Sequence, residues 1–483
     1  MRDAAAGIET PSLATRVKGG SAWGALNIAL SRILQFVTML VVARLVAPDQ
    51  FGALAVALVA QSIAINITEL GTTASLARGD RDPDAIAPTV FSLSLMAGTV
   101  LTIVMIVTAP LLAAALGDPS AAPVVQVMAL TVFLAAFASV PTALVWRDFL
   151  QKRRLFVDIG AIVITGLVVI PLAVIGMGAM ALAWSRVVGQ AASTIGYWLI
   201  VPKRYLPGWN RAELGPLLRL GLPLAASNIV AFVMLNVDYI VVGRELGPEQ
   251  LGLYLLAFNL AALPSSVLTT ILRTVAVPTF GRLFAAGTLA ELVPRFVAGV
   301  AWIAFPIALL IGALGLPLMT ALYGDEWAPG AIALLGLGAF GAARVLSELF
   351  ADLCVGAGKT IGLMWVQLIW LAVLVPSMIL GVQQFGIAGA GWAHAAVCWF
   401  VVVPLYLVTL ARVLHVSWLK QLIAFLPAMA ASVLAALAAA WLASTVDNPW
   451  LALLVGGCGG VLVYGLLTVR TWRGLMRTIR LLR

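Results

Sequence analysis

The chain has 483 residues and a formal net charge of +9, with 62% of its residues hydrophobic and only 10% charged; its mean hydropathy is +1.07. A soluble domain carries about 25% charged residues, so this composition excludes a water-soluble protein and makes the bilayer the solvent. In hydrocarbon a chain must satisfy its own backbone groups as helices or as a closed barrel. Barrel strands alternate in polarity over roughly ten residues, whereas the apolar runs here continue unbroken for 20 or more, so the expected class is all-α and polytopic.

At about 20 apolar residues per crossing, boundaries at Pro, Gly and charge predict fourteen spans: 22–46, 51–77, 87–116, 121–146, 157–176, 178–201, 217–243, 250–276, 294–322, 328–355, 361–381, 387–412, 419–443 and 449–469. The first run begins near Ser21 and is too long for a signal-peptide core, so it reads as a retained span. Only Gly176-Met177-Gly178 separates the fifth from the sixth. Between the third and fourth, and before the tenth, the turns Leu116-Gly117-Asp118-Pro119 and Tyr323-Gly324-Asp325-Glu326-Trp327 are short. No loop is large enough to fold as a receptor ectodomain, a nucleotide-binding domain or a glycosyltransferase platform. Gly358-Lys359-Thr360 ends like a phosphate loop, but Leu353 stands where the motif needs glycine, so no ATP site is read. Cys354, Cys398 and Cys458 are scattered through apolar runs, which fits small core residues and neither a disulfide framework nor a metal site. No metal or organic cofactor is expected.

Cytoplasmic loops are enriched in Lys and Arg. Counting loops alternately from the inside, the inner set gathers Arg2, Arg16, Lys18, Arg78, Arg81, Arg147, Lys152, Arg153, Arg154, Lys203, Arg204, Arg211, Arg219, Arg282, Arg295, Lys359, Arg412, Lys420 and the five tail arginines Arg470 to Arg483. The outer set holds only Arg44 and Arg244. Both termini are therefore expected in the cytoplasm. Trp23, Trp146, Trp198, Trp327, Trp418, Trp450 and Trp472 fall at span ends, as an interfacial aromatic belt would. The basic charge reads as an orientation signal and a contact for anionic lipid, not as a nucleic-acid surface.

Val41-Val42-Ala43-Arg44-Leu45-Val46-Ala47-Pro48-Asp49-Gln50-Phe51-Gly52 recurs without gaps as Val241-Val242-Gly243-Arg244-Glu245-Leu246-Gly247-Pro248-Glu249-Gln250-Leu251-Gly252. Each copy occupies the outer turn between the first two spans of a half. The copies lie six spans apart, an even number, so the halves run parallel, a design found in alternating-access transporters. The expected layout is two pseudo-symmetric six-helix lobes, 1–201 and 215–412, joined by a basic linker at 202–214. A helical hairpin and basic tail at 413–483 complete it.

Charges at span centres cost about 2.5–3.5 kcal/mol on insertion scales and usually face a cavity or a partner. The candidates are Arg32, Glu69, Arg186, Asp238, Arg273, Arg344, Glu348 and Asp352. At ~1.5 Å per residue, Arg32 and Glu69 lie at similar depths on antiparallel spans and can pair. Arg344, Glu348 and Asp352 share one helix face at i, i+4, i+8, and Arg273 sits near the inner interface, where it can snorkel. Each charge admits two readings: an ion pair that staples helices, or the lining of a hydrated cavity. In the second, arginines meet an anionic substrate with the bidentate geometry that suits phosphate, while Glu69, Asp238, Glu348 or Asp352 carry a coupling H+ or Na+. Asn27, Gln35, Gln61, Asn66, Asn228 and Asn236 on the same spans favour the hydrated cavity. His394 and His415 read as packing or interface residues.

Asn236-Val237-Asp238-Tyr239-Ile240-Val241-Val242-Gly243-Arg244-Glu245-Leu246-Gly247, continuing into Leu251-Gly252-Leu253-Tyr254 and Pro264, resembles the seventh-to-eighth span signature of bacterial polysaccharide-unit flippases. Arg44-Leu45, Pro48, Phe51-Gly52 and Glu69-Leu70-Gly71 resemble their opening. These are the Wzx-type exporters of the multidrug/oligosaccharidyl-lipid/polysaccharide superfamily. The resemblance implies two lobes that open alternately to either side. It implies a polyprenyl-diphosphate-linked oligosaccharide moved across the bacterial inner membrane without covalent chemistry, with a polymerase and a chain-length regulator as possible partners. It also implies cavity arginines on the diphosphate, at Arg32, Arg186 and Arg344, with Asn27, Asn66 and Asn228 beside them. A drug antiporter of the same superfamily, or a lipid-linked peptidoglycan precursor flippase, shares the layout. The antiporter would want an acidic cavity, whereas the buried set here is four basic and four acidic residues.

Overall fold

The computed structural model describes residues 13–68, 76, 82–285, 288–358 and 360–481. Among them there is no strand, and fourteen long helices account for the architecture. In the first half these are α1 (Leu13–Ala43), α2 (Pro48–Thr68), α3 (Pro83–Ala115), α4 (Ala122–Arg147), α5 (Gln151–Val174) and α6 (Ala179–Ile200). The helical run Arg211–Ala285 is broken at Gly247, whose φ of 82° only glycine adopts freely, giving α7 (211–246) and α8 (248–285). Next come α9 (Leu289–Ala313), the short α10 (Gly315–Leu322) and α11 (Ala331–Gly356). A second run, Thr360–Val397, breaks at Gly386 (φ 60°) into α12 (360–385) and α13, which passes through a wide π-type turn at Cys398–Val402 and ends at Leu414. The chain closes with α14 (Trp418–Ala443) and α15 (Pro449–Leu481). Among the described residues ten stretches are long and apolar enough to cross a membrane, one of them the 51-residue Gly362–Arg412 that contains most of α12 and α13. The protein is a multi-pass membrane protein.

Several helices outrun their predicted spans. α1 begins at Leu13, α7 at Arg211, and α15 runs to Leu481, because Arg, Lys and Leu are good helix formers and an apolar boundary does not stop a helix. The predicted ninth span, 294–322, is two pieces that meet at Leu314. The Gly176-Met177-Gly178 break holds, between α5 and α6.

The helices have a basic end, with Arg147, Lys152, Arg153, Lys203 and Arg204, and a hairpin end, where the two repeat copies lie. At the hairpin end the copies pack on each other reciprocally. A methyl group added at Gly52 would overlap the carbonyl of Pro248, and one added at Gly252 would overlap the carbonyl of Pro48. Thus α2 and α8 cross with their backbones in contact, which only small residues allow in a membrane. The neighbouring turns repeat the exchange. Gly117, before α4, abuts the Gly243 carbonyl at the end of α7. On the other side, Trp327 donates from Nε1 to the Ala43 carbonyl at the end of α1 (2.8 Å) and meets Phe51 edge-on at 5.1 Å. Arg44 donates to the carbonyls of Ala321 and Leu322, capping α10. Gln50 accepts from the first amide of α6, at Ala179 (3.0 Å). One apolar core runs through both halves and includes Val42, Phe51, Leu251, Tyr254 and Trp327.

Trp327 is therefore a correction to the aromatic belt. It is 1% exposed and built into the crossing, whereas Trp23, Trp146, Trp418 and Trp450 are exposed at helix ends. Cys354 and Cys398 are buried, but Cys458 is exposed. The final hairpin docks on α9 and α10 through small residues: Gly456 and Gly460 lie against Ala439 and the tips of Leu310 and Leu314, and Tyr464 donates to the Trp302 carbonyl (2.8 Å).

Between α6 and α7 the linker is irregular yet held. Lys203 Nζ pairs with Asp84 Oδ1 at 2.6 Å, and the Tyr205 hydroxyl donates to the same carboxylate. Gly208 N–H donates to the Pro88 carbonyl (3.1 Å), and Ser92 Oγ donates to the Gly208 carbonyl (2.7 Å). Burial, reinforced by the Asp84 carboxylate, raises the Tyr205 phenol above its ordinary pKa, so it remains a donor at all physiological pH.

Gly52→Val and Gly252→Val are each expected to overpack the crossing, at a cost of about 1–3 kcal/mol. Thermal unfolding in detergent should read that loss. Spin labels at Asp49 and Glu249 should move apart, whereas Gly299→Val, in open space, should change neither measurement.

Candidate functional site

Each half carries one polar centre within its apolar helices. In the first half the centre is Asp158. Residues four apart share a helix face, which puts Arg154 and Asp158 together on α5, with Nε to Oδ2 at 3.2 Å. From α1, the buried Asn27 donates Nδ2–H to the same Oδ2 at 2.7 Å. From α6, the Tyr197 hydroxyl donates to Oδ1 at 2.6 Å. α6 comes close enough because Gly189 and Gly196 leave room for Thr165 and Val157 of α5. The guanidinium of Arg154 lies over the Trp146 ring at 4.1 Å, and the Lys152 ammonium is 5.7 Å from the Trp23 ring centre. One carboxylate thus gathers three donors from three helices, next to two exposed tryptophans at the basic end.

In the second half, α7, α8, α11 and α13 enclose Asp238, which is 1% exposed. Tyr254 on α8 donates to its Oδ2 at 3.1 Å, and His394 Nε2 on α13 stands 3.5 Å from that oxygen. Tyr239, Tyr254 and Phe258 form an aromatic cluster, and Phe340 stacks on the His394 ring at 4.6 Å. On α11, Arg344 Nε donates to Glu348 Oε1 at 2.9 Å with both side chains about one-third exposed, and the guanidinium lies 6.0 Å from the Phe340 ring. Asp352, a further turn on, is buried and has an interaction of its own.

The sequence candidates therefore divide. Arg344 and Glu348 come together, and Asp238 gains a partner in His394, which from sequence reads as a packing residue. Asn27 has its amide committed to Asp158. Arg32 and Arg186 are exposed on α1 and α6 and carry no ion pair among the described residues. Glu69 and the side chains of Asn66, Asn228 and Arg273 lie outside the described residues, and with them the Arg32–Glu69 pairing. Gln61 donates to Thr131, tying α2 to α4. Sequence reasoning misses Asp158, Arg154 and Tyr197. Asp158 falls at the edge of its predicted span, where a charge looks like an interfacial residue, although its i, i+4 spacing from Arg154 was a usable signal.

Asp158→Ala strips one carboxylate from three donors and leaves Arg154 without its anion. Hydrogen bonds to a charged group are worth about 1.5–3 kcal/mol, so thermal unfolding should show a loss of that order, with a smaller one for Tyr197→Phe.

A family model described as a polysaccharide biosynthesis protein matches residues 41–331. The lipopolysaccharide biosynthesis protein WzxC of Escherichia coli (strain K12) is 27% identical over 279 residues, 56% of each chain. The succinoglycan biosynthesis transport protein ExoT of Rhizobium meliloti (strain 1021) is 25% identical over 97% of this chain and 96% of its own. The teichuronic acid biosynthesis protein TuaB of Bacillus subtilis (strain 168) is 22% identical over 80% of this chain and 81% of its own. Among solved structures, a lipid II flippase MurJ in an inward closed conformation superposes with a TM-score of 0.77, at 13% identity over 93% of this chain and 99% of that one. An inward-facing multidrug resistance MATE transporter gives 0.64, at 16% identity over 81% and 98%. The fold is that of the MurJ and MATE transporters.

Proposed function

The chain belongs to the polysaccharide biosynthesis protein family, and from that premise we propose that it is a flippase. It moves polyprenyl-diphosphate-linked oligosaccharide repeat units from the cytoplasmic to the periplasmic leaflet of the bacterial inner membrane by alternating access. The observation that carries this reading is the reciprocal crossing of two parallel halves at Gly52 and Gly252. Two like halves meeting at one end, with the ion pairs kept within each, are what a rocking transporter needs. The excess of Lys and Arg at the other end supports a cytoplasmic location for both termini.

The relatives are named for biosynthesis and transport of polysaccharides. Arg32, Arg186 and Arg344 are the residues proposed to meet the diphosphate, since a headgroup crossing about 30 Å of hydrocarbon needs a hydrated, cationic path while the prenyl tail stays in lipid. Arg344 is pre-positioned by Glu348. A polymerase and a chain-length regulator acting on the exported unit are the proposed partners. A peptidoglycan precursor flippase or a drug antiporter would use the same fold, but the family model and the three relatives all favour a polysaccharide cargo.

Arg32→Ala and Arg344→Ala should each lower polymer export at least about tenfold, the equivalent of one lost charge-assisted phosphate contact, with unchanged membrane insertion. Complementation of a flippase-deficient strain measures this, and full export by both variants would remove these arginines from the path. Alkaline phosphatase fused after Asp447 should be active, and the same enzyme fused after Arg483 inactive; the reverse result would invert the orientation.

A further inference from the structure

Asp238 and His394 are the most deeply buried ionisable pair among the described residues, and the diphosphate path makes no use of them. Asp238 is 1% exposed and His394 5%. Their nearest atoms, Oδ2 and Nε2, stand 3.5 Å apart without the geometry of a hydrogen bond. Asp238 Oδ1 and both His394 ring nitrogens have no hydrogen-bond partner among the described residues. Buried polar atoms are nearly always satisfied, so such an arrangement needs an explanation. We infer that Asp238 and His394 together form a single proton-binding site that couples transport to a proton, not to sodium. The coupling half of this inference rests on the transport reading above; the proton site itself does not.

The first argument is charge balance. The other titratable groups around the pair are already committed or neutral. Tyr254 donates to Asp238, and Tyr239 belongs to the aromatic cluster. On α11, Arg344 and Glu348 are paired with each other. On α13, the Cys398 thiol is held against Ser347 Oγ at 3.4 Å. Among the described side chains, no remaining charge offsets Asp238 except His394. With one proton on the pair, the site is neutral whether the proton sits on the carboxylate or on the imidazole. With none it carries a full negative charge, and with two a full positive one; either is costly without water. The closed site therefore holds one shared proton, as a coupled unit.

The second argument is the set of donor atoms. A sodium ion needs a shell of oxygens. Among the described side chains, the oxygens that meet at the pair are the Asp238 carboxylate and the Tyr254 hydroxyl. The Phe340 and Phe258 rings, at 4.6 and 6.1 Å from the His394 ring, surround the imidazole with apolar surface. An imidazole nitrogen suits a proton far better than an alkali cation.

Position supplies the route from proton to motion. Asp238 lies on α7, nine residues before the Gly247 break, and His394 lies on α13, eight residues after the Gly386 break. The π-type turn at Cys398–Val402 follows directly, and such turns often mark functional sites. When the pair loses its proton, Asp238 requires water, and α7 and α13 must part to admit it. When it regains the proton, the helices can close. The pair thus joins two helices that each adjoin a glycine break, the arrangement by which one proton can bias a two-state element.

The chain has only two histidines, His394 and the exposed His415, so 13C-histidine labelling of the full-length protein in nanodiscs gives two assignable signals, with His415→Gln as the assignment control. The His394 signal should titrate, be unaffected by replacing potassium with sodium, and show at least tenfold weaker proton binding in Asp238→Asn. A change of less than twofold, or a response to sodium, would overturn the shared-proton site. In proteoliposomes loaded with lipid-linked oligosaccharides extracted from native membranes, a pH gradient should accelerate wild-type transport and a sodium gradient should not. Asp238→Asn and His394→Gln should lose that acceleration, and the nanodisc spectra report on the folding of each. Acceleration that persists in both variants, or that follows sodium, would overturn the coupling. If the wild type moves no lipid-linked saccharide while the His394 titration behaves as expected, the flippase reading and the coupling fall, and the proton site stands.

Discussion

The backbone contact between α2 and α8 is the constraint on which the rest of the molecule depends. Hydrocarbon supplies no hydrophobic force to press helices together, so association in a bilayer rests on close packing and internal polar bonds. Gly52 faces the Pro248 carbonyl and Gly252 faces the Pro48 carbonyl. Because the two contacts are copies of each other, one short sequence, used twice, supplies both sides of its own interface. The adjoining turns use the same device: Gly117 lies against Gly243, and Trp327 bonds to Ala43. Closure at the hairpin end is thus made from backbone and small residues with few charges, Arg44 on the α10 carbonyls among them.

Ion pairs are handled differently, within each half, although the Arg44 guanidinium reaches across to the Ala321 and Leu322 carbonyls. Asp158 collects Asn27, Arg154 and Tyr197, all from the first half. Asp238, Tyr254 and His394 all belong to the second, as do Arg344 and Glu348. A lobe that moves as a body must carry its ionic bonds with it, since breaking a buried pair leaves an uncompensated charge. The ion pairs lie inside single halves, whereas the contact between halves is made of close glycine packing and of bonds from Trp327 and Arg44 to backbone carbonyls. The linker is the exception, a polar strap from Lys203 and Tyr205 to Asp84 at the basic end. It lies at the edge of the bundle, where water can take over its bonds.

The two glycine breaks have a related role. Gly247 and Gly386 each interrupt what is otherwise a continuous helical run, so α7 and α8, and α12 and α13, are joined by a single flexible residue. In the first half the corresponding turns are longer, Arg44 to Ala47 and Ile175 to Gly178. The second half has the tighter hinges, and it also holds the more deeply buried polar pair.

Hydropathy and spacing alone determined the class of solvent and the all-helical, fourteen-helix, multi-pass architecture, because a bilayer imposes one rule on every crossing; the repeat, visible as repeated letters, marked the two segments that cross. The same reading found Asp238, Arg344 and Glu348, since a charge in an apolar run is conspicuous wherever it points. Only the tertiary structure decided what each charge touches. Nothing in the order of residues ties Asn27 to Asp158, 131 positions away, or His394 to Asp238. Nor does it turn Trp327 from a membrane-surface residue into the buried pin of the crossing. Those outcomes depend on which face of each helix meets its neighbour, and that is set by close packing at Gly52, Gly189, Gly196 and Gly252. A glycine reads in sequence only as the absence of a side chain; what fills the space is settled when two backbones meet.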